Sequence, residues 1–191
     1  FTLSVKQATC ISELSKMRGS KYVFGEIGDA FHECEAAIKS NRLVLFVALP
    51  CQINALNSFL ARRDCCNLDN LITIDLICHG APSNKFFKAY LRWLAKLEKV
   101  ESLNTFTFRS SDYPWGEFVC AYTFERNGKE KRRERIASHD PYYAAFLKAL
   151  TYRKCCYSCK FAKPERVSDI TLGDAWGIEK MCPGFETPNG V

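Results

Sequence analysis

The chain has 191 residues, 47% of them hydrophobic and 13% aromatic, enough apolar material for a sizeable core and too much for a disordered polymer. No apolar run approaches the ~20 residues that a membrane-spanning helix needs; the longest, LVLFVALPC, is broken by Pro50. The formal charge of +6 is partly concentrated in KEKRRER at residues 129–135. That run reads as the solvated side of a hairpin strand after the turn RNGK. Nucleic-acid contact is the weaker reading, because no RNA-binding or helix-turn-helix signature accompanies it.

The chain opens on Phe1 with FTLSVK, which reads as a strand already under way, and closes on PNGV without a helix or cap. The expectation is a single α/β domain over residues 1–191, cut from a longer protein. Asp29 is placed to cap a helix, AFHECEAAIKS, that ends near Asn41. RLVLFVA then reads as a strand buried on both faces, and CQINALNSFLARR as a helix with Ile53, Leu56, Phe59 and Leu60 on its apolar side. LITIDLIC is a second buried strand. Strand, helix and strand over this length make a parallel crossover unit, whose ligand sites lie beyond the carboxyl ends of the strands.

Ser83 caps the next helix, NKFFKAYLRWLAKLEK, with Phe86, Phe87, Tyr90, Leu91, Leu94 and Leu97 as its apolar stripe. SLNTFTFRS, FVCAYTFE and KRRERIAS read as three antiparallel strands, the last two joined by Asn127-Gly128. Asp140-Pro141 opens a further helix, YYAAFLKALTY, and SDITLGDAWGI closes with a short strand and a turn. The fold class is therefore α/β: a mixed sheet with a parallel βαβ crossover unit, followed by an antiparallel meander and helices.

Eleven cysteines are an odd number without the density of a small secreted disulfide framework. They point to a reducing cytoplasm, where thiols serve as core residues, metal ligands or redox groups. Cys156 and Cys159, in CYSC, have the spacing that aims two sulfurs at one centre; zinc, an iron-sulfur cluster and a redox dithiol all use it. Four thiolates need two more sulfurs. Cys51 and Cys78 are the best placed, each ending a predicted strand at the expected site edge, although a strand-end cysteine often serves only as a small apolar residue. Cys10, Cys34, Cys65, Cys66, Cys120, Cys155 and Cys182 are assigned to packing or exposure. Cys155 rivals Cys156, and Cys182, which precedes a proline, is a weak substitute ligand.

Several motifs in order, RGSKYVFGEIGDAF, LFVALPCQINAL, LITIDLICHGAPSNKFFKAYL, FRSSDYPWG, DPYYAAFLKALTYRKCCYSCKFA and SDITLGDAWGI, resemble the coenzyme F-420 hydrogenase/dehydrogenase beta subunit family from about Met17 to Ile178. The resemblance implies an iron-sulfur flavoprotein oxidoreductase that passes electrons between a 4Fe-4S cluster and FAD, with a redox partner protein or ferredoxin module and no membrane. It carries the cluster ligands onto Cys51, Cys78, Cys156 and Cys159. It places flavin contacts on Gly19, Ser20, Lys21 and Tyr22, with Asp174 and Trp176 as a ring-binding wall. His79 becomes a proton relay. Each of these has a plainer alternative: a loop between helix and strand for residues 19–22, a core residue for Trp176, a turn histidine for His79.

Two features depart from the family pattern. Ala48-Leu49 stands where the family commonly has Gly-Thr before the proline, and the Gly-rich segment that precedes RGSKY and completes the flavin site is not in the chain. The CHGAPS and SDITLGDAWGI style resembles family members found near polysaccharide-modifying enzymes. A different class of function also fits the cysteines: a non-catalytic binding or scaffolding module built on a structural four-cysteine zinc or iron-sulfur site.

Overall fold

A computed structural model describes residues 1–63, 68–114, 116–175 and 177–184, and the chain divides into two units. The first comprises Phe1–Leu3, Ala8–Gly25 and Gly80–Tyr157; the second comprises Ser4–Gln7, Glu26–His79 and the described residues from Ser158 onward.

The first unit is built on helices with chemically defined starts. α1 (Ile11–Met17) was not foreseen from the sequence and buries none of its residues. α4 (Asn84–Leu97) begins where the Ser83 hydroxyl accepts from the Phe86 amide at 3.2 Å, which satisfies one of the donors a helix start leaves open. Its buried stripe is Phe87, Tyr90, Leu91, Leu94 and Ala95, whereas Phe86 and Leu97 stay 40% and 52% exposed and form the rim. α5 (Pro141–Leu147) is capped by Asp140, whose carboxylate accepts from the Tyr143 amide at 3.0 Å. It ends sooner than its sequence suggests, because Ala149 turns left-handed at φ 57.

β3 (Thr105–Thr107), β4 (Val119–Arg126) and β5 (Lys129–Ile136) form the antiparallel sheet in that order. Asn127 and Gly128, both at positive φ, make the hairpin turn, as a primed turn requires. The basic strand β5 is exposed nearly throughout, yet its arginines are engaged: Arg132 with Asp112 and Glu134, Arg133 with Glu98, Arg135 with Asp140. The core of this unit is aromatic, joining Phe87, Tyr90, Phe108, Tyr122, Phe124, Tyr142 and Tyr143. Within it the Tyr90 hydroxyl donates to Asp140 at 2.6 Å; burial first, and the Asp140 charge next, push its pKa far above the ordinary tyrosine range.

The second unit holds α2 (Ala30–Lys39), β1 (Val44–Ala48), α3 (Pro50–Ala61), β2 (Leu71–Leu76), β6 (Ile170–Leu172) and α6 (Ile178–Met181). The strands run parallel in the order β1-β2-β6, so the expected crossover unit is present and the closing strand joins it. The parallel and antiparallel strands thus lie in two sheets. FTLSVK contributes one bridge, Ser4 to Glu26, instead of a strand.

One expectation is corrected here. β1 is covered on one face only: Phe46 and Ala48 pack with Ile38, Ile53, Leu56 and Leu60 of α2 and α3, whereas Leu45 and Val47 are 58% and 46% exposed. Both helices supply their packing to the same side of the sheet, which leaves the opposite side of the apolar run bare.

Candidate functional site

Three features converge on the carboxyl edge of the parallel sheet. The β1–β2 register pairs Ala48 with Asp75, and Cys51 and Cys78 each lie three residues further on, from 48 to 51 and from 75 to 78. Pro50 starts α3 immediately after β1, which places Cys51 in the first turn, at the positive end of the helix dipole. β6 pairs with β2 at Leu76 and Leu172, and the Ile77 amide extends that pairing by donating to the Leu172 carbonyl at 2.8 Å. Asp174 follows on the same edge and is exposed. Cys51 and Cys78 are half-buried, and His79 is exposed.

Beneath this edge, on the helix-covered face, runs a polar ladder that sequence reasoning missed. Asp75 is fully buried; its Oδ1 accepts from Arg166 Nη2 at 2.7 Å and from the Thr171 hydroxyl at 2.8 Å, and its Oδ2 has no partner among the described residues. Arg166 also donates to the Leu76 carbonyl at 3.3 Å, so the ion pair ties the loop before β6 to the end of β2. One step down the sheet, Asp169 Oδ2 accepts from the Thr73 amide at 2.7 Å and from the Thr73 hydroxyl at 2.6 Å. The available signal is the pair of polar residues two apart, Thr73 and Asp75, inside an otherwise apolar LITIDLIC.

The Thr73 side-chain hydrogen bond, followed by that of its amide, holds the Asp169 carboxyl below its ordinary value of 3.8. A carboxylate with a depressed folded pKa contributes stability that is present above its ordinary value and is lost as pH falls through the depressed one. Asp169→Asn is therefore expected to flatten the acid limb of the stability profile below about pH 4. Urea midpoints measured from pH 7 down to pH 3 check this; an unchanged acid limb would contradict the assignment.

The cysteine knuckle is a short 3-10 turn, Lys154–Cys156, separated from α5 rather than continuous with it. Cys156 and Cys159 are half-buried and Cys155 is exposed. The turn is braced within the first unit: the Tyr157 hydroxyl accepts from the Tyr152 amide at 3.2 Å and donates to the Ala149 carbonyl at 2.9 Å. The Arg153 amide donates to the Ala81 carbonyl at 3.0 Å, and its guanidinium lies 3.6 Å from the Phe24 ring centroid. Gly80 sits flat against the Tyr152 ring at φ +127. Both contacts, of Gly80 with Tyr152 and of Ala81 with Arg153, lie within the first unit.

Among the described residues, no three His, Cys, Asp or Glu side chains stand close enough together to hold a metal ion. Within the second unit, Cys51, Cys78 and Cys159 therefore do not form a closed ligand set. Of the other cysteines, Cys34 and Cys120 are buried and Cys10 and Cys182 are exposed; desolvation, reinforced by the Asp140 charge, pushes the Cys120 thiol up to about 12, which makes it a neutral core residue. Cys65, Cys66 and Trp176 lie outside the described residues.

Gly19, Ser20, Lys21 and Tyr22 sit in the first unit. Gly19 has φ +92 with open space where a Cβ would project, so its requirement is conformational. Lys21 directs its ammonium at the carbonyls of Met17, Arg18 and Gly19, at 2.8, 3.0 and 2.9 Å, closing the end of α1; desolvation lowers its pKa. The Ser20 hydroxyl accepts from Arg109 at 3.4 Å, and that guanidinium lies 4.6 Å from the Phe118 ring centroid. Arg109, inside FRSSDYPWG, has no role in the sequence reading, yet it brings a second cation to the loop. Tyr22 is a packing residue: its ring meets Phe108, Tyr143 and Phe146, and its carbonyl accepts from the Tyr142 hydroxyl at 2.8 Å.

The described residues form a parallel three-stranded sheet, with Cys51 and Cys78 beyond its carboxyl edge, and a separate antiparallel three-stranded sheet, a mixed α/β fold. The model of the family described as coenzyme F420 hydrogenase/dehydrogenase, C terminus of the beta subunit, matches residues 41–190, and the chain belongs to that family. Its members are parts of oxidoreductases, which carries an expectation of protein partners. No curated protein and no solved structure matches the chain. Among the described residues no helix is long and apolar enough to cross a membrane.

Proposed function

We propose that the chain is the part of a beta-type oxidoreductase subunit that passes electrons between a 4Fe-4S cluster, held by Cys51, Cys78, Cys156 and Cys159, and FAD. The observation that carries this reading is the equal placement of Cys51 and Cys78, each three residues beyond the Ala48–Asp75 pair on adjacent parallel strands. Support comes also from the half-burial of Cys156 and Cys159, spaced as a two-residue knuckle. Metal binding couples to folding, because a preformed site rarely exists in the unfolded state; on this reading the free energy of cluster assembly gathers the four thiolates.

A bound cluster supplies one-electron transfer and a bound flavin couples it to two-electron chemistry. The residues of the chain hold and orient these groups. Half-burial of the four thiols limits water at the sulfurs. The Asp75–Arg166 pair fixes the sheet edge from below. Residues Gly19 to Lys21, with Arg109 behind Ser20, offer an amide-rich, cationic loop suited to a pyrophosphate. Asp174, with Trp176 two residues on in sequence, is assigned the ring side. His79, exposed and next to Cys78 in sequence, is assigned the proton relay. The link to polysaccharide biosynthesis belongs to the same proposal and rests on motif style.

Anaerobic purification followed by reconstitution with ferrous iron and sulfide is expected to give a brown protein with broad visible absorption and acid-labile sulfide. A colourless protein that takes up zinc and no sulfide would instead place the chain in the scaffolding class.

A further inference from the structure

We propose that the bare face of the β1-β2-β6 sheet is the seat of a second copy of this chain. Alternate residues along the three strands point away from α2 and α3: Leu45 and Val47 on β1, Ile72 and Leu76 on β2, Ile170 and Leu172 on β6, between 36% and 58% exposed. Parallel sheets are found almost only with both faces covered, since their strands are apolar on both sides. This sheet has a cover on one side, over Phe46, Ala48 and the Thr73–Asp75 ladder, and an apolar side without one.

The size of the face matches a dimer. Six aliphatic side chains at this exposure present on the order of 500 Å² of apolar surface, against an interface norm of about 800 Å² per partner, of which about two thirds is apolar in homodimers. Its chemistry fits the same occupant. These strand positions are Leu, Val and Ile without a charged side chain among them, so the patch offers nothing for a partner of opposite charge to read, and it meets its own copy without like-charge repulsion. The arrangement is an isologous contact of sheet on sheet, each face packing against the other's across about 10 Å.

Sedimentation equilibrium of the whole chain, with and without iron, over about 1 to 100 μM, tests this independently of the redox reading. The expected result is a dimer, with Val47→Lys and Ile170→Lys each raising the dissociation constant by about 100-fold while far-UV circular dichroism is unchanged. Should a lysine variant misfold, Val47→Thr and Ile170→Thr keep the β-branched shape, remove apolar area, and are expected to weaken the dimer several-fold. A wild-type monomer across the whole range would overturn the proposal, as would a dimer indifferent to substitution on this face. A monomeric result would leave a different polypeptide as the cover.

Discussion

Replacing Asp75 with alanine is expected to lower stability by about 3 kcal/mol, at the lower end of the cost of breaking a buried ion pair. Asp75 is fully buried and Arg166 is 24% exposed, so the guanidinium keeps partial access to water, which moderates the loss. The carboxylate is also the acceptor for Thr171 at 2.8 Å; truncation leaves that hydroxyl to compete for the remaining acceptors. Asp75→Asn retains an acceptor and should cost less. Removing both charges together, as in Asp75→Val with Arg166→Met, should recover part of the loss, because the penalty lies in the orphaned partner rather than in the absence of the pair. Urea unfolding of the single variants and the pair gives the coupling energy. A loss below about 1 kcal/mol in Asp75→Ala would mean that the pair is a surface-type contact and that the polar ladder does not organise the sheet edge.

The second large effect is at Gly80. A Cβ there would overlap Cδ2, Cε2 and Cγ of the Tyr152 ring, and the backbone holds φ +127, a region that residues with a side chain rarely enter. Gly80→Ala is expected to cost about 2 to 5 kcal/mol, combining backbone strain with overpacking. The two parts separate experimentally. Adding Tyr152→Ala to Gly80→Ala removes the clash and leaves the φ requirement, so the double variant should regain part of the stability and not all of it. Full recovery would show that only the ring matters; no recovery would show that the ring does not press on this turn. Displacement of this turn moves the segments on either side of the proposed ligands, so the same substitution is expected to reduce cluster yield beyond what its stability loss explains.

Much of the fold was legible because the signals are local. Ser83 and Asp140 cap the helices that follow them, and Asn127-Gly128 makes the turn its dipeptide requires. The crossover unit follows from two apolar runs with a helix between them. The bare side of β1 was not legible: an apolar run records that both faces want cover, and it does not record whether the same chain supplies it. α1 is a short helix of seven residues whose row of Ile11, Leu14 and Met17 stays exposed, and three apolar positions are too few to mark a helix by period alone.

Cys51 and Cys78 could be picked from the sequence as strand-end thiols, whereas the residues that support this sheet edge could not. A thiol at a strand end is a visible mark, whereas Asp75 gains its importance from Arg166 and Thr171, 91 and 96 residues away along the chain. Arg109 is a similar case; its value lies in reaching Ser20 at 3.4 Å. Lys21 shows a different limit. A lysine next to a glycine-serine pair suggests phosphate, yet its ammonium first closes the end of α1 on three carbonyls, and a phosphate would have to draw it away from at least one of them.

The central claim is that four thiols from three separate stretches of sequence belong to one centre. Iron and acid-labile sulfide, counted per chain after anaerobic reconstitution, test it in Cys51→Ser, Cys78→Ser and Cys155→Ser side by side. The account predicts that the first two lose the cluster and that Cys155→Ser, altered at an exposed neighbour of Cys156, keeps it in full. Undiminished iron and sulfide in Cys51→Ser or Cys78→Ser would contradict it.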